Sequence, residues 1–151
     1  MANTQAMCTS FKGELLVGHH NFGTGVTRGS TAADTFKAAL YLASATVSAA
    51  TTAYSATGEV SGTGYTAGGV TVTFGTAPST SGTTAFVTPS ASISYSSVTL
   101  STAFDAVLIY NSTQSNKAVS VHTFGSQTVT AGTFTLTMPT NDASTGLIRL
   151  A

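Results

Sequence analysis

The chain has 151 residues and a formal net charge of zero, and only 7% of its residues are charged: five Lys or Arg and five Asp or Glu. An ordinary soluble domain has about 25% charged residues. Acid–base catalysis, metal binding and phosphate binding need clustered ionisable groups, so this composition favours a structural role over an enzyme. It also argues against a nucleic-acid partner, because little counterion release would drive binding to a polyanion.

The length fits one domain with a core of its own, since a chain of this size buries roughly two thirds of its extended surface on folding. Hydrophobic residues make up 42% of the chain, including eight Phe and five Tyr. The segment Met1–Ser10 is polar and has no periodicity, so we predict an extended arm over residues 1–10 that orders only against a neighbour. A single domain is predicted over residues 11–151. The one cysteine, Cys8, predicts a reduced thiol and no internal disulfide.

No stretch has the pattern of a signal peptide or a membrane span, because the apolar runs are only a few residues long. We therefore expect no membrane partner and synthesis in the cytoplasm. A surface without net charge lacks the repulsion that keeps soluble proteins apart. This predicts self-association into a homodimer or homotrimer.

In the first half of the chain, apolar and polar residues alternate in short runs, the pattern of half-buried strands. Phe11–Val17 is the first predicted strand. Phe36–Ala43 fits both a strand and a helical stripe capped by Asp34, and the strand is favoured. Ser44–Thr57 is rich in small residues and predicts a loop or a short helical turn, whereas Val70–Phe74 alternates with Thr and predicts a strand.

The second half of the chain carries the clearest strand patterns. The predicted strands are Ile93–Leu100, Phe104–Tyr110, Ala118–Phe124, Thr128–Met138 and Leu147–Leu150. Phe104–Tyr110 is almost continuously apolar, which indicates a central strand buried on both faces. Within Thr128–Met138, Ala131 and Gly132 predict a bend or a β-bulge.

Seven or eight short strands at intervals of roughly ten residues, without a long helix, predict an all-β fold: an antiparallel β-sandwich or jelly roll. Three stretches rich in Gly, Ser and Thr are predicted as long loops: Gly18–Gly29, Gly58–Gly69 and Pro78–Thr84. Loops are where such domains usually meet partners.

The chemical motifs are weak. Gly62–Ala67 fits the spacing of a dinucleotide-binding loop, but a strand follows it where that site needs a helix N-terminus. His19 and His20 are adjacent and would point to opposite faces of a strand, and His122 is distant in sequence, so a zinc site is disfavoured. We predict no catalytic, cofactor-binding or metal-binding residue and no cofactor.

The acidic and aromatic residues lead to the same conclusion. None of the carboxylates is spaced as a catalytic pair, and no nucleophile elbow is present. The carboxylates are Glu14, Asp34, Glu59, Asp105 and Asp142. Seven aromatic residues in or beside strands are predicted to lie in the core: Phe22, Phe74, Tyr95, Phe104, Tyr110, Phe124 and Phe134. Tyr41, Tyr54 and Tyr65 are predicted to be exposed contact residues.

The most distinctive segments of the chain are Phe36–Tyr41, Gly58–Gly69, Leu108–Asn111, Asn116–Val119, Ala131–Phe134, Pro139–Ser144 and Leu147–Leu150. In these segments the sequence resembles small virion structural proteins of tailed bacteriophages, from about Phe11 onward. The resemblance implies a non-enzymatic, β-rich particle protein. Proteins of this kind include capsid cement or decoration subunits, which clamp neighbouring shell proteins.

The resemblance and the composition together predict a capsid cement protein on the surface of a virion, assembled in the host cytoplasm. Its expected partners are the major capsid protein and further copies of itself. Two alternatives stay open at this point. One is a structural subunit of the phage tail or its adaptor, and the other is a glycan-binding module that uses Tyr54 and Tyr65.

Overall fold

The computed structural model describes residues 3–8, 11, 19–20, 22–23, 33–82 and 84–150. This part of the chain contains eight strands and no long helix. The strands are β1 (Ala6–Met7), β2 (Phe36–Leu42), β3 (Val70–Val72), β4 (Ser79–Ser81), β5 (Thr84–Val87), β6 (Ile93–Asn111), β7 (Lys117–Leu136) and β8 (Ile148–Leu150). None of the described segments forms a helix with the length and hydropathy needed to cross a membrane.

The strands form two sheets in which every pairing is antiparallel. The larger sheet has the order β1-β7-β6-β2-β3, and the smaller one has the order β4-β5-β8. This confirms the predicted all-β antiparallel class, and two such sheets are consistent with a β-sandwich.

The largest feature of the fold is the hairpin of β6 and β7, which are 19 and 20 residues long. Its strands pair from Asn111 opposite Lys117 to Ile93 opposite Leu136. Four of the predicted short strands are therefore joined in pairs into two long ones. The reason is a series of β-bulges: the register shifts at several points, and Ser97 and Ala131 take positive φ angles of 56° and 46°. Bulges bend a ribbon without ending its hydrogen-bond ladder.

Strand β2 lies between β6 and β3, and five of its seven residues are buried. A strand covered on both faces needs the nearly continuous apolar sequence that Phe36–Leu42 provides. The centre of β6 packs beside it, with Leu108 fully buried. Five of the aromatic residues predicted for the core are buried, and Phe124 and Phe134 are partly buried and packed against it.

Several predicted loops and ends differ from the structure. Part of Pro78–Thr84 forms β4, an exposed Ser-Thr-Ser strand whose uniformly polar sequence shows no alternation. Ser44–Thr57 is a loop with turns, as predicted, and Gly58–Gly69 is also a loop. Of Phe11–Val17 only the first residue lies within the described part, and most of Gly18–Gly29 lies outside it.

The N-terminal segment is attached to its own sheet. Ala6 and Met7 pair with Val121 and Ser120 of β7, and the Thr4 amide donates a hydrogen bond of 3.1 Å to the Val47 carbonyl. The prediction that this arm orders only against a neighbour is therefore wrong for residues 3–8. Its sequence has no strand periodicity because two paired residues are too few to show one.

Gly69 is the tightest backbone contact between the Gly58–Gly69 loop and β2. Its φ is +72°, and a Cβ at this position would overlap the carbonyl oxygen of Ala38. Gly82 also has a positive φ, +56°, but a Cβ there would meet no atom within 4 Å. Both glycines have a positive φ, but only Gly69 lacks room for a side chain.

We predict that Gly69→Ala lowers the free energy of unfolding by several kcal/mol, because it adds a backbone clash to the strain of a positive φ, which alone amounts to about 1 kcal/mol. Gly82→Ala is the matched control and should lose only about 1 kcal/mol. Urea denaturation followed by circular dichroism measures both. Equal losses in the two variants would show that the close approach of Gly69 to β2 is unimportant.

Candidate functional site

Glu59 is the centre of a polar cluster built mainly from tyrosine hydroxyls. Its carboxylate accepts hydrogen bonds of 2.7 Å from the Tyr54 hydroxyl, the Tyr65 hydroxyl and the Gly68 amide. A backbone bridge also joins Glu59 to Tyr41 of β2. Three neutral donors thus solvate this charge in place of water. The bridge to Tyr41, together with the bond that the Leu40 amide donates to the Tyr65 hydroxyl, ties the Gly58–Gly69 loop to β2.

The other tyrosine hydroxyls extend this cluster into the sheet. Tyr95 donates to the Ala38 carbonyl and Tyr110 to the Gly68 carbonyl, each over 2.8 Å. Two pairs of rings also stack: Tyr54 on Tyr110 with centroids 4.7 Å apart, and Tyr65 on Tyr95 at 5.9 Å. We call Glu59 and the five tyrosines of the chain the tyrosine cluster: Tyr41, Tyr54, Tyr65, Tyr95 and Tyr110.

The predicted exposure of Tyr41, Tyr54 and Tyr65 is wrong. Tyr41 is only 2% exposed and its hydroxyl bonds to the Ser55 carbonyl, while Tyr54 and Tyr65 are partly buried and bound to Glu59. The aromatic platform expected for a glycan-binding module is therefore occupied by contacts within the fold. One sequence signal could have revealed this, since Glu59 is the only charged residue between Lys37 and Asp105.

All five tyrosines have raised pKa values, and burial is the main cause. It raises the pKa of Tyr41 to about 12. Burial and the hydrogen bond to Glu59 together raise the pKa of Tyr54 and of Tyr65. Burial followed by the charge of Glu59 raises the pKa of Tyr95 and of Tyr110. Every phenol therefore stays protonated at neutral pH and acts as a structural donor.

A second polar cluster holds the turn of the β6–β7 hairpin. Asn111 is fully buried, and its amide nitrogen lies 2.7 Å from the Asp34 carboxylate and 3.1 Å from Nδ1 of His20. Its side-chain oxygen accepts hydrogen bonds from the amides of Thr113 and Gln114, both at 3.1 Å. This asparagine caps the turn and connects it to the segment before β2.

The three histidines do not form a common site in the described residues. His20 packs against the ring of Phe11 with centroids 4.7 Å apart, and His122 makes a 2.9 Å hydrogen bond with the Ser120 hydroxyl. Burial lowers the pKa of His122, so its ring is neutral at neutral pH. Nδ1 of His19 is buried and has no hydrogen-bond partner among the residues that the structure describes. Across the described ranges, no group of three or more His, Cys, Asp or Glu residues could hold a metal ion.

The described carboxylates serve the fold. Asp105 accepts a hydrogen bond from the Asn3 side chain, and Asp142 accepts from Ser144 and Thr145 in a tight turn. The bonds from Thr145 and Ser144 lower the pKa of Asp142. Glu14 lies outside the described residues. In the described part of the chain, the structure does not bring two carboxylates together as an acid–base pair would require.

An apolar cleft lies between the β6–β7 ribbon and the segment that leads into β8. Its volume is about 190 Å³, and its lining includes Ile93, His122, Phe124, Leu136 and Met138. One neutral histidine and two threonines among apolar side chains offer a ligand little polar recognition. The cleft is a gap in packing between the ribbon and that segment.

The outer edge of β7 is the most distinctive surface. From residue 123 to residue 136, β7 pairs with β6 on one side and with no other described strand on the opposite side. We call this stretch the β7 edge. Residues 118–138 contain no Lys, Arg, Asp, Glu or Pro. Exposed edge strands usually carry such residues because they block pairing with another chain.

The side chains along the β7 edge alternate. Thr128, Thr130, Thr133 and Thr135 are exposed, while Val129, Phe134 and Leu136 are partly buried and packed on the core. The edge therefore offers backbone groups that pair with no other described strand, a row of hydroxyls on one face and a continuation of the core on the other. Such an arrangement is suited to the addition of a strand from another protein chain.

The structure is that of an all-β protein, and the β7 edge presents backbone groups that can pair with another strand. No family model matches the chain, and no curated protein or solved structure matches it. Function must then be inferred from the chemistry of the described surfaces.

We predict that the tyrosines of the native protein do not ionise near pH 10, where free tyrosine titrates. Because the native state holds these protons more tightly than the unfolded chain does, the contribution of the tyrosines to stability is constant below about pH 10. It is lost as the pH rises through the raised values, about 12 for Tyr41. Ultraviolet absorbance of phenolate, recorded alongside circular dichroism, measures both events.

In guanidinium chloride, all five tyrosines should titrate together near pH 10, which is the control. Phenolate absorbance that rises near pH 10 while the native circular dichroism persists would contradict the tyrosine cluster.

We predict that Glu59→Gln lowers the free energy of unfolding by roughly 1–3 kcal/mol, because the amide group brings a donor to a site that already holds three donors. Tyr54→Phe is the matched control. It removes one of the three bonds and should lose about 1 kcal/mol. Urea denaturation at neutral pH compares them, and a Glu59→Gln protein as stable as wild type would refute the role given to this carboxylate.

Proposed function

We propose that this protein is a capsid cement, or decoration, protein of a tailed bacteriophage, which bridges and stabilises neighbouring major capsid subunits. The uncharged β7 edge is the observation that carries the proposal. A strand edge that no other described strand covers over residues 123–136, with no charge or proline there, is a hazard for a protein that stays alone in solution. It is an advantage for a protein whose purpose is to be covered by others.

The exposed polar surface supports the same role. All three residues of β4 and four threonines of the β7 edge are exposed, so hydroxyl groups replace the charged residues of an ordinary surface. Hydroxyls and backbone groups form neutral hydrogen bonds that are weak one by one. On a capsid lattice many copies bind side by side, and such contacts add up through multiplicity.

The use of the ionisable groups inside the fold also supports a structural role. Glu59 and Asp105 accept hydrogen bonds from tyrosine and asparagine side chains. Asp34 binds the asparagine that caps the main hairpin. These carboxylates stabilise loops and turns, which a shell-binding protein needs in order to present a rigid surface.

The segments that resemble phage virion proteins include parts of β2, β6 and β7, which form the central strands of the larger sheet. A tail or adaptor subunit would use the same uncharged edge. The two roles differ in copy number, because cement subunits cover the whole shell and tail subunits occupy one short assembly.

Quantitative protein analysis of purified particles is the direct test. We predict that the protein is present in a fixed proportion to the major capsid protein. Particles assembled without it should release their DNA at a lower temperature, and addition of the purified protein should restore the original temperature. A copy number far below that of the shell protein would assign it to the tail, and its absence from particles would overturn the proposal.

A further inference from the structure

We infer that the segment Gly132–Leu136 of the β7 edge binds a second copy of this chain, in antiparallel register about a two-fold axis. The inference identifies the partner that covers the β7 edge. It rests on one part of the proposed function, namely that the β7 edge binds another protein chain. Antiparallel pairing of a strand with its own copy gives an isologous interface, in which the same residues contribute from both sides.

The geometry of β7 selects this segment within the edge. Ala131 has a φ of 46°, and the register with β6 shifts three times between Thr123 and Gly132 of β7, so this part of the edge is irregular. Gly132 pairs with Val98 and Phe134 with Tyr95, so the extra residue at this shift lies in β6. Strand β7 itself therefore runs regularly from Gly132 to Leu136. A regular run of this length matches an ordinary strand of about five residues.

The side chains of the segment favour an identical partner. On one face, Thr133 and Thr135 are exposed, and the Thr135 hydroxyl already lies 3.1 Å from the Ser94 hydroxyl across the β6–β7 pair. A second copy would continue this row of hydroxyls. On the other face, Phe134 and Leu136 are partly buried against the core, and the counterpart strand would cover what remains exposed.

The charge distribution favours a second copy over a charged partner. With the two-fold axis at Phe134, the middle of the segment, Thr133 of one copy lies opposite Thr135 of the other, so like charges at both positions would face each other. The segment and its neighbours up to residue 138 carry none, and the chain as a whole has a formal net charge of zero. A basic or acidic partner would find no complementary group on this strand.

The position of the segment also limits the assembly to a closed dimer. Pro139 follows soon after Leu136 and lacks the amide hydrogen needed to continue a ladder, while Ala131 distorts the strand at the other end. Two-fold pairing uses this edge on both copies and leaves none for a third. The larger sheets of the two copies would become one continuous sheet.

Analytical ultracentrifugation of the full chain tests this inference. Because the paired segment is short, we expect a dimer with a dissociation constant on the order of 1–100 µM. The double variant Thr133→Lys, Thr135→Lys should weaken dimerisation at least tenfold by placing like charges opposite each other. The matched control, Thr128→Lys with Thr130→Lys, alters exposed threonines of the same strand outside the segment and should dimerise like wild type.

A charge-complementation experiment identifies the pairing. Mixing the Thr133→Lys, Thr135→Lys protein with a Thr133→Glu, Thr135→Glu protein should restore a dimer containing one copy of each. Thermal denaturation of each variant confirms that it is folded. A wild-type protein that is monomeric at millimolar concentration, a trimer or larger assembly, or a lysine variant that dimerises normally would overturn the inference.

The outcomes also separate this inference from the proposed function. A monomer that still binds and stabilises phage shells would refute self-pairing and leave the cement role intact. If the protein forms a dimer with the expected charge dependence but is absent from phage particles, self-pairing is supported and the cement role is refuted.

Discussion

The antiparallel pairing of β6 with β7 is the interaction on which the rest of the structure depends. Strand β6 holds β2 on its other side, and β2 in turn holds β3, while β7 pairs with β1 at one end. The buried centre of β6 supplies much of the core. Because β7 is long and pairs with only one described strand over residues 123–136, the same hairpin also creates the free edge. One feature therefore accounts for both the stability of the fold and its main candidate surface.

Because the chain has few charged residues, most of its polar contacts are hydrogen bonds between neutral groups. With ten charged side chains in the whole sequence, the loops are fixed mainly by hydroxyls, amides and tyrosine phenols. Glu59 shows the principle most clearly, because its charge is balanced by directed hydrogen bonds from neutral groups. When another protein covers a surface of threonine and serine, no charged side chain has to lose its water, so the desolvation cost of charges is avoided.

Much of the sheet could be predicted from the sequence, because alternation and β-branched residues report directly on half-buried strands. Strands β2, β3 and β8 lie where their patterns indicated. The union of four segments into one long hairpin could not be predicted, since a β-bulge interrupts alternation just as a turn does. The tyrosine cluster was also missed: local sequence shows that Tyr54 and Tyr65 are aromatic, but only their placement around Glu59 decides that they are internal donors.

By itself, the sequence determined the all-β class, the central and buried nature of Phe104–Tyr110 in β6, and a surface almost without charge, because hydrophobic periodicity and composition are local properties. Only the tertiary structure decided which strands are neighbours, that residues 3–8 join the larger sheet, and that no second described strand pairs with β7 over residues 123–136. These features depend on contacts between residues far apart in the chain, such as Ala6 with Val121 or Tyr95 with Ala38. No local pattern encodes them, since a strand has the same alternation whether its edge is paired or free.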